Sequence, residues 1–78
     1  MRIRIELVGF LGNTGLPNGF RGGELEVADG MTLEELMTLL QVFDRIPLFP
    51  TVNGRRANLS VVLEDNDIVR FVPLVGGG

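Results

Sequence analysis

Hydrophobic and polar residues alternate near both ends of the chain, and this pattern predicts strands. Residues 2–8 read RIRIELV, which places apolar and charged side chains on opposite faces of an extended chain. Residues 24–27, ELEV, alternate in the same way and are followed by the turn sequence Asp29-Gly30, so we expect a second strand antiparallel to the first. The last strand is predicted over residues 68–72, IVRFV.

The middle of the chain changes to helical spacing. Thr32 and Glu35 form the pattern of a capping box, in which each side chain bonds a free backbone N–H at the start of a helix. Apolar residues then recur every three or four positions, at Leu33, Leu36, Met37, Leu40 and Phe43. Pro47 and Pro50 are predicted to end this helix, and a loop is expected around them.

Two further segments carry turn residues. Six glycines fall within residues 9–23, which predicts a long, mobile loop between the first two strands. Thr51-Val52 reads as a short strand, Asn53-Gly54 as a tight turn, and residues 55–63 as another extended stretch.

This order of elements predicts an α+β fold, with a mixed sheet of four to five strands and one helix packed across one face. A chain of 78 residues has room for a single core. We expect a domain over residues 1–75, followed by a flexible glycine tail at residues 76–78.

Composition narrows the function. The formal net charge is -3 and the seven basic residues are all arginines without a dense run, so nucleic acid is not an expected partner. An acidic surface would suit a partner with a basic patch, but a mild negative charge is also usual for solubility, and we favour that simpler explanation. The absence of Cys and His removes thiolate nucleophiles, disulfides and the commonest metal ligand, so we expect neither an enzyme nor a metal site.

The sequence also bears on location. Residues 1–6 alternate charge and apolarity, unlike a signal peptide, and no apolar stretch approaches the length of a membrane span. A cytoplasmic protein without membrane partners is the expectation.

The last third of the chain carries three ordered motifs: Val52-Asn53-Gly54, then LEDNDIV at residues 63–69, then FVPLVGGG at residues 71–78. In these segments the sequence resembles the MoaD/ThiS family of sulfur carriers, which have the ubiquitin-like β-grasp fold. That family typically shows Val-Asn-Gly, later Leu-x-Asp-Gly-Asp-x-Val, and a hydrophobic-Pro segment ending in Gly-Gly. Asn66 stands where the family prefers Gly, and Leu74 replaces a second Pro common in the MoaD branch.

The resemblance implies that the C-terminal carboxylate of Gly78 is the reactive group. An adenylating enzyme of the MoeB/ThiF type would use ATP to activate it, a sulfur donor would convert it to a thiocarboxylate, and the sulfur would pass to an acceptor enzyme such as the large subunit of molybdopterin synthase. Gly76 and Gly77 lack a Cβ and suit a tail that threads a narrow channel. The chain itself would bind no cofactor, and Pro73 favours the MoaD branch.

The resemblance also implies a docking face. If Val69 and Phe71 face the helix, the alternate residues of the last strand face the other side of the sheet. These residues are Ile68, Arg70 and Val72. They lie beside the end of the first strand, and this outward surface is predicted to be unusually apolar. The expected partner contacts are Val8, Phe10, Arg70, Val72 and Pro73. The alternative, that the glycine-rich loop covers some of these residues, is left open by the sequence.

Other functions fit the same tail. They are a ThiS-like carrier for thiamine thiazole formation, a carrier for transfer-RNA thiolation, a ubiquitin-like modifier joined to target lysines, and a β-grasp adaptor with an inert tail. Because the chain contains no Lys, a modifier of this sequence cannot build ubiquitin-style chains on itself.

Overall fold

The computed structural model describes residues 1–42 and 47–74. Five strands form one sheet: β1 Arg2–Leu7, β2 Gly23–Glu26, β3 Leu48–Val52, β4 Arg55–Arg56 and β5 Ile68–Pro73. Two helices accompany it, α1 Leu11–Thr14 and α2 Leu33–Leu39. The strand order is β2-β1-β5-β3-β4, so the α+β class and the mixed sheet are confirmed.

The two central strands, β1 and β5, lie parallel, and every other strand pair is antiparallel. Successive side chains of a strand point to opposite faces of the sheet, and this alternation decides which of them are buried. Ile3 and Ile5 on β1, and Val69 and Phe71 on β5, are at most 1% exposed. Parallel neighbours need a long crossover, which here contains α1, β2, α2, β3 and β4.

Helix α2 covers the inner face of the sheet, and its predicted start is confirmed. Thr32 Oγ1 accepts a hydrogen bond from Glu35 N at 3.2 Å, while Glu35 Oε1 accepts one from Thr32 N at 2.9 Å. Leu33, Leu36 and Met37 are buried in one core with the side chains of β1 and β5.

The predicted end of this helix is wrong. Helix α2 stops at Leu39, and Gln41 follows with a φ of 58°, the left-handed conformation that closes many helices. Pro47 and Pro50 lie beyond this point and do not terminate the helix. Phe43, predicted to continue the apolar stripe, lies outside the described residues.

Pro50 belongs to a strand, contrary to the predicted loop. Leu74 N donates a hydrogen bond to Pro47 O at 2.9 Å, and Asn53 N donates one to Ile68 O at 2.8 Å. The odd-numbered residues between 47 and 53 therefore direct their backbone hydrogen-bonding groups toward β5. In an antiparallel ladder the intervening residues point their backbone groups the other way. The missing N–H of Pro50 therefore faces the open edge of β3, where proline is tolerated.

The segment of residues 9–23 is not the long loop that its glycines predict. It contains α1, and Leu11 and Leu16 are 0% and 3% exposed within the core. Two apolar anchors at this spacing bury enough surface to hold a short helix against the end of the sheet. Gly12 lies within α1 and Gly23 is the first residue of β2, while the other four glycines lie in the connections between these elements.

Residues 55–63 are also less extended than predicted. Only Arg55 and Arg56 form strand β4, and an isolated bridge joins Thr32 to Val62. The backbone between them instead bonds the start of α2, where Leu59 O and Val61 O accept hydrogen bonds from Glu34 N and Leu33 N.

Neither α1 nor α2, the helices of the described residues, is long and apolar enough to cross a membrane.

Candidate functional site

The end of the sheet where β5 exits brings together the segments that the sequence assigned to partner binding. Val8 N donates to Phe71 O at 3.1 Å, and Leu74 N donates to Pro47 O at 2.9 Å, so the chain leaves the sheet between the end of β1 and the start of β3. Leu74 is the last described residue and is 51% exposed. Gly76, Gly77 and Gly78, the predicted reactive tail, lie outside the described residues.

Gly9 packs directly against this exit. A Cβ at Gly9 would make an ordinary contact of 3.4 Å with Pro73 Cγ, and the backbone φ of Gly9 is +64°, so the conformation is what favours glycine. The turn at Gly9 then presents Phe10, whose side chain is 44% exposed. The alternative that the following segment covers this residue is therefore wrong for Phe10.

Arg70 lies on the outer face of the sheet and is held by a carboxylate. Its Nη2 and Nε atoms donate to Glu6 Oε1 at 2.6 and 3.0 Å, and Arg4 Nε lies 3.5 Å from Glu6 Oε2. The hydrogen bond from Arg70, with the charges of both arginines, lowers the pKa of Glu6 below its ordinary value. Glu6 thus stays ionised and fixes the direction of the Arg70 guanidinium.

The outer face is less apolar than predicted. Across β1 and β2 it carries ion pairs, with Arg2 Nε 3.0 Å from Glu26 Oε1 and Arg2 Nη1 3.9 Å from Glu24 Oε2. Apolar side chains occupy only part of β5 and its neighbour β3, where Val72 pairs in register with Phe49. The predicted contacts Val8 and Val72 are half-buried at the tail end of this face. Pro73 is also half-buried, but it pairs with Leu48 and follows the outward Val72, so it lies on the opposite face.

Sequence reasoning missed the contribution of β3 and β4 to this face. Phe49 pairs with Val72, Thr51 pairs with both Arg70 and Arg56, and all of them project outward. The Arg56 guanidinium carbon lies 4.4 Å from the centre of the Phe49 ring. The sequence pattern did not predict the strand that carries Phe49, because Pro47 and Pro50 favour a loop in this segment.

The motif residues at the opposite end of the sheet have a structural role. Asp67 is 8% exposed and accepts hydrogen bonds from Asn53 Nδ2 and Glu64 N, each at 2.8 Å. Asn53 Oδ1 in turn accepts from Ile68 N at 2.9 Å. The Val-Asn-Gly turn and the acidic turn before β5 are thereby tied together, and they fix where β5 begins. In the described part of the chain no group of three or more acidic, His or Cys side chains could hold a metal ion.

No family model and no curated protein matches the sequence. Solved structures do match the fold. SAMP1 from Haloferax volcanii matches with a TM-score of 0.75 and 18% identity, covering 100% of this chain and 100% of that one. A putative molybdopterin converting factor subunit 1 from Pyrococcus furiosus matches with a TM-score of 0.77 and 18% identity, covering 96% of this chain and 99% of that one.

A third match is a complex of subunits 1 and 2 of molybdopterin-converting factor from Helicobacter pylori. It gives a TM-score of 0.66 and 23% identity, with 100% of this chain and 100% of that chain covered. These matches, all at low identity, establish the fold. The chain has the ubiquitin-like β-grasp fold, so the resemblance found in the sequence is confirmed at the level of fold.

Proposed function

We propose that this protein is a sulfur carrier whose reactive group is the C-terminal carboxylate of Gly78. The observation that carries the proposal is the course of β5, which runs from the centre of a β-grasp sheet to the exposed Leu74, only four residues before that carboxylate. Solved structures of the same fold include proteins named as molybdopterin converting factor subunit 1.

The proposed chemistry needs no catalytic side chain on the carrier. A carboxylate resists nucleophiles because it is negatively charged and lacks a good leaving group. Attack of the Gly78 carboxylate on the α-phosphorus of ATP forms an acyl adenylate and releases pyrophosphate. Hydrosulfide then attacks the acyl carbon and expels AMP, which leaves a thiocarboxylate. Gly76 and Gly77 place no side chain near the activated carbonyl.

The pathway that we favour is molybdenum cofactor biosynthesis, with this chain as the small subunit of molybdopterin synthase. Pro73 and the apolar approach to the tail support it, as does the likeness to a chain in the complex of subunits 1 and 2 from Helicobacter pylori. A ThiS-like role in thiazole formation and a role in transfer-RNA thiolation use the same tail chemistry. Capture of the acceptor enzyme would separate these pathways.

The proposed partners are an adenylating enzyme of the MoeB/ThiF type, which binds the ATP, and an acceptor enzyme such as the large subunit of molybdopterin synthase. In this proposal the chain is a co-substrate, not an enzyme, and it works in the cytoplasm. Val8, Phe10, Arg70, Val72 and Pro73 are the proposed contacts because they surround the point where the tail leaves the sheet.

The first experiment incubates the protein with the adenylating enzyme of its own genome, ATP and a sulfide source, and measures the intact mass. We expect a gain equal to the exchange of one oxygen for one sulfur. A variant that lacks Gly78 should fold normally and show no gain. An unchanged mass with an enzyme that adenylates another carrier would contradict the proposal.

A second candidate function is a ubiquitin-like modifier, and one observation favours it. The solved structures of this fold include the small archaeal modifier protein 1 of Haloferax volcanii, with a TM-score of 0.73 and 17% identity. In this case Gly78 would form an isopeptide bond with lysines of other proteins. A Gly-Gly remnant on target lysines after proteolysis, without a thiocarboxylate pool, would favour the modifier over the carrier.

A further inference from the structure

Positive charge on the outer face is balanced on one half of the sheet and unbalanced on the other. Each arginine on β1 and β5 has a glutamate oxygen within 4.0 Å: Arg2, Arg4 and Arg70. On β4, Arg56 on this face and Arg55 on the opposite face are exposed, and no carboxylate of residues 1–42 and 47–74 pairs with either of them. In a chain with a net charge of -3, this leaves a local positive area.

Arg56 has a defined place in that area. Its guanidinium carbon lies 4.4 Å from the centre of the Phe49 ring, a distance typical of a cation–π contact. Phe49 pairs with Val72, which is next to Pro73 at the exit of the tail. The guanidinium is therefore positioned on an apolar surface that is continuous with the proposed partner contacts.

Thr51 supplies a second, independent observation. Its hydroxyl oxygen is buried and has no hydrogen-bond partner in the described part of the chain. Thr51 lies in register between Arg70 on β5 and Arg56 on β4. A buried hydroxyl without a partner is unfavourable, and it becomes satisfied if the side chains that cover it move on binding and an acceptor of the partner takes their place.

These groups match one kind of ligand. A guanidinium and a hydroxyl are both donors, and a carboxylate is the acceptor that binds a guanidinium most strongly. Phe49 and Val72 add apolar surface beside the donors, which a neighbouring apolar side chain of a partner would bury. Aromatic and arginine side chains are characteristic anchors at the centre of protein–protein interfaces.

We propose that Phe49, Thr51, Arg56 and Val72 form a subsite for an acidic residue of the partner protein that is flanked by an apolar side chain. This inference rests on the proposed function and deepens it, because it states the chemistry of the segment that the adenylating enzyme presents to the sheet. The net negative charge of the whole chain does not select a partner, whereas the local arrangement of the arginines selects an acidic one here.

Strand β4 provides a matched control. Arg56 pairs with the outward Thr51, so alternation turns the neighbouring Arg55 to the opposite face. Both residues are exposed, and the change of charge in R55E and R56E is identical. A difference between the two variants therefore reports the location of the charge and not its total.

The test measures the affinity of the chain for the adenylating enzyme of its own genome by calorimetry at low and high salt. We expect R56E to weaken binding at least about tenfold and to reduce its salt dependence, while R55E stays within about twofold of the wild type. Equal effects of the two variants, or no effect of R56E, would overturn the subsite.

The variant T51V separates binding from folding. If the hydroxyl meets a partner carboxylate, T51V binds the enzyme more weakly although its free energy of unfolding is unchanged or higher, since no internal hydrogen bond is lost. Unchanged affinity for T51V would contradict the role of the hydroxyl.

The same samples distinguish this inference from the proposed function. If wild-type chain gains sulfur but R56E binds as tightly as the wild type, the carrier function stands and the acidic subsite fails. If neither chain is adenylated nor bound, both fail. Sedimentation that shows the wild type associating with itself, and R56E not doing so, would assign the surface to a second copy and overturn the proposal.

Discussion

At the scale of single residues, Asp67 holds together the two turns that precede and face β5. It accepts hydrogen bonds from Asn53 Nδ2 and Glu64 N, each at 2.8 Å, and is 8% exposed. We expect D67A to lower the free energy of unfolding by about 1–3 kcal/mol, because two donors in a partly buried place lose their acceptor. Urea unfolding measures this change.

The control for this prediction is E34Q, an isosteric loss of charge at an exposed position of α2. It should change the free energy of unfolding by less than about 0.5 kcal/mol. A D67A variant as stable as E34Q would show that the turns do not depend on this carboxylate.

The ion pair of Glu6 with Arg70 should make the free energy of unfolding depend on pH. Its pKa is lowered in the folded state by the hydrogen bond from Arg70, so the stabilisation is present above the ordinary pKa of a glutamate and is lost as the pH falls through the lower folded value. We expect the wild type to exceed E6Q in stability at neutral pH, and the difference to shrink as the solution becomes acidic.

Urea midpoints of the two proteins across this pH range provide the measurement. Because Glu6 is 35% exposed, the difference should also fall with added salt. A difference that is constant from neutral to strongly acidic pH would mean that the pair with Arg70 is not its source.

At the scale of elements, the segment of residues 9–23 is part of the core. Leu11 is 0% exposed, so L11A should cost about 2–5 kcal/mol of unfolding free energy through lost burial and a cavity. L39A is the matched control, since Leu39 is 52% exposed on α2 and should cost less than about 1 kcal/mol. Similar losses in thermal or urea unfolding would mean that α1 is not anchored.

The end of α2 allows a prediction of the opposite sign. Gln41 has a φ of 58°, where a side chain is unfavourable and glycine is not. Q41G should therefore raise the free energy of unfolding by up to about 1 kcal/mol, whereas L39G, at the last helical residue, should lower it by up to about 1 kcal/mol. Destabilisation by both variants would place the end of the helix elsewhere.

At the scale of the whole molecule, the tail exit and the outer face act together in the proposed function. Val72 is half-buried on the outer face, so V72D should keep the fold and weaken binding to the adenylating enzyme by about tenfold or more. The control is I68D on the same strand and face, about 13 Å from Val72 along the strand. Calorimetry should show near wild-type affinity for I68D.

Loss of the fold in V72D, seen as a non-cooperative urea transition, would mean that this position belongs to the core and not to the docking face. Equal weakening by V72D and I68D would mean that the contact does not depend on proximity to the tail. Either result would remove the proposed contacts around Pro73.

The predictions from sequence were reliable where the pattern is local. Alternation identified β1, β2 and β5, and the Thr32–Glu35 spacing identified the start of α2, because strand faces and caps are set by neighbours a few residues apart. Prediction failed at Pro50 and at Leu11. A proline is a breaker only if its missing N–H is needed, and a glycine-rich stretch is a loop only if its apolar residues find no core.

The sequence alone determined the order of strands and helix, the buried faces of β1 and β5, and the resemblance carried by the motifs of the last third. Only the tertiary structure decided that β3 extends through Pro50, that α1 closes the end of the core, and that Arg56 stacks on Phe49. These features join residues far apart in the chain. Which ones meet depends on how segments that are distant in the sequence pair and pack, and a local pattern shows the faces of each strand without showing its partners.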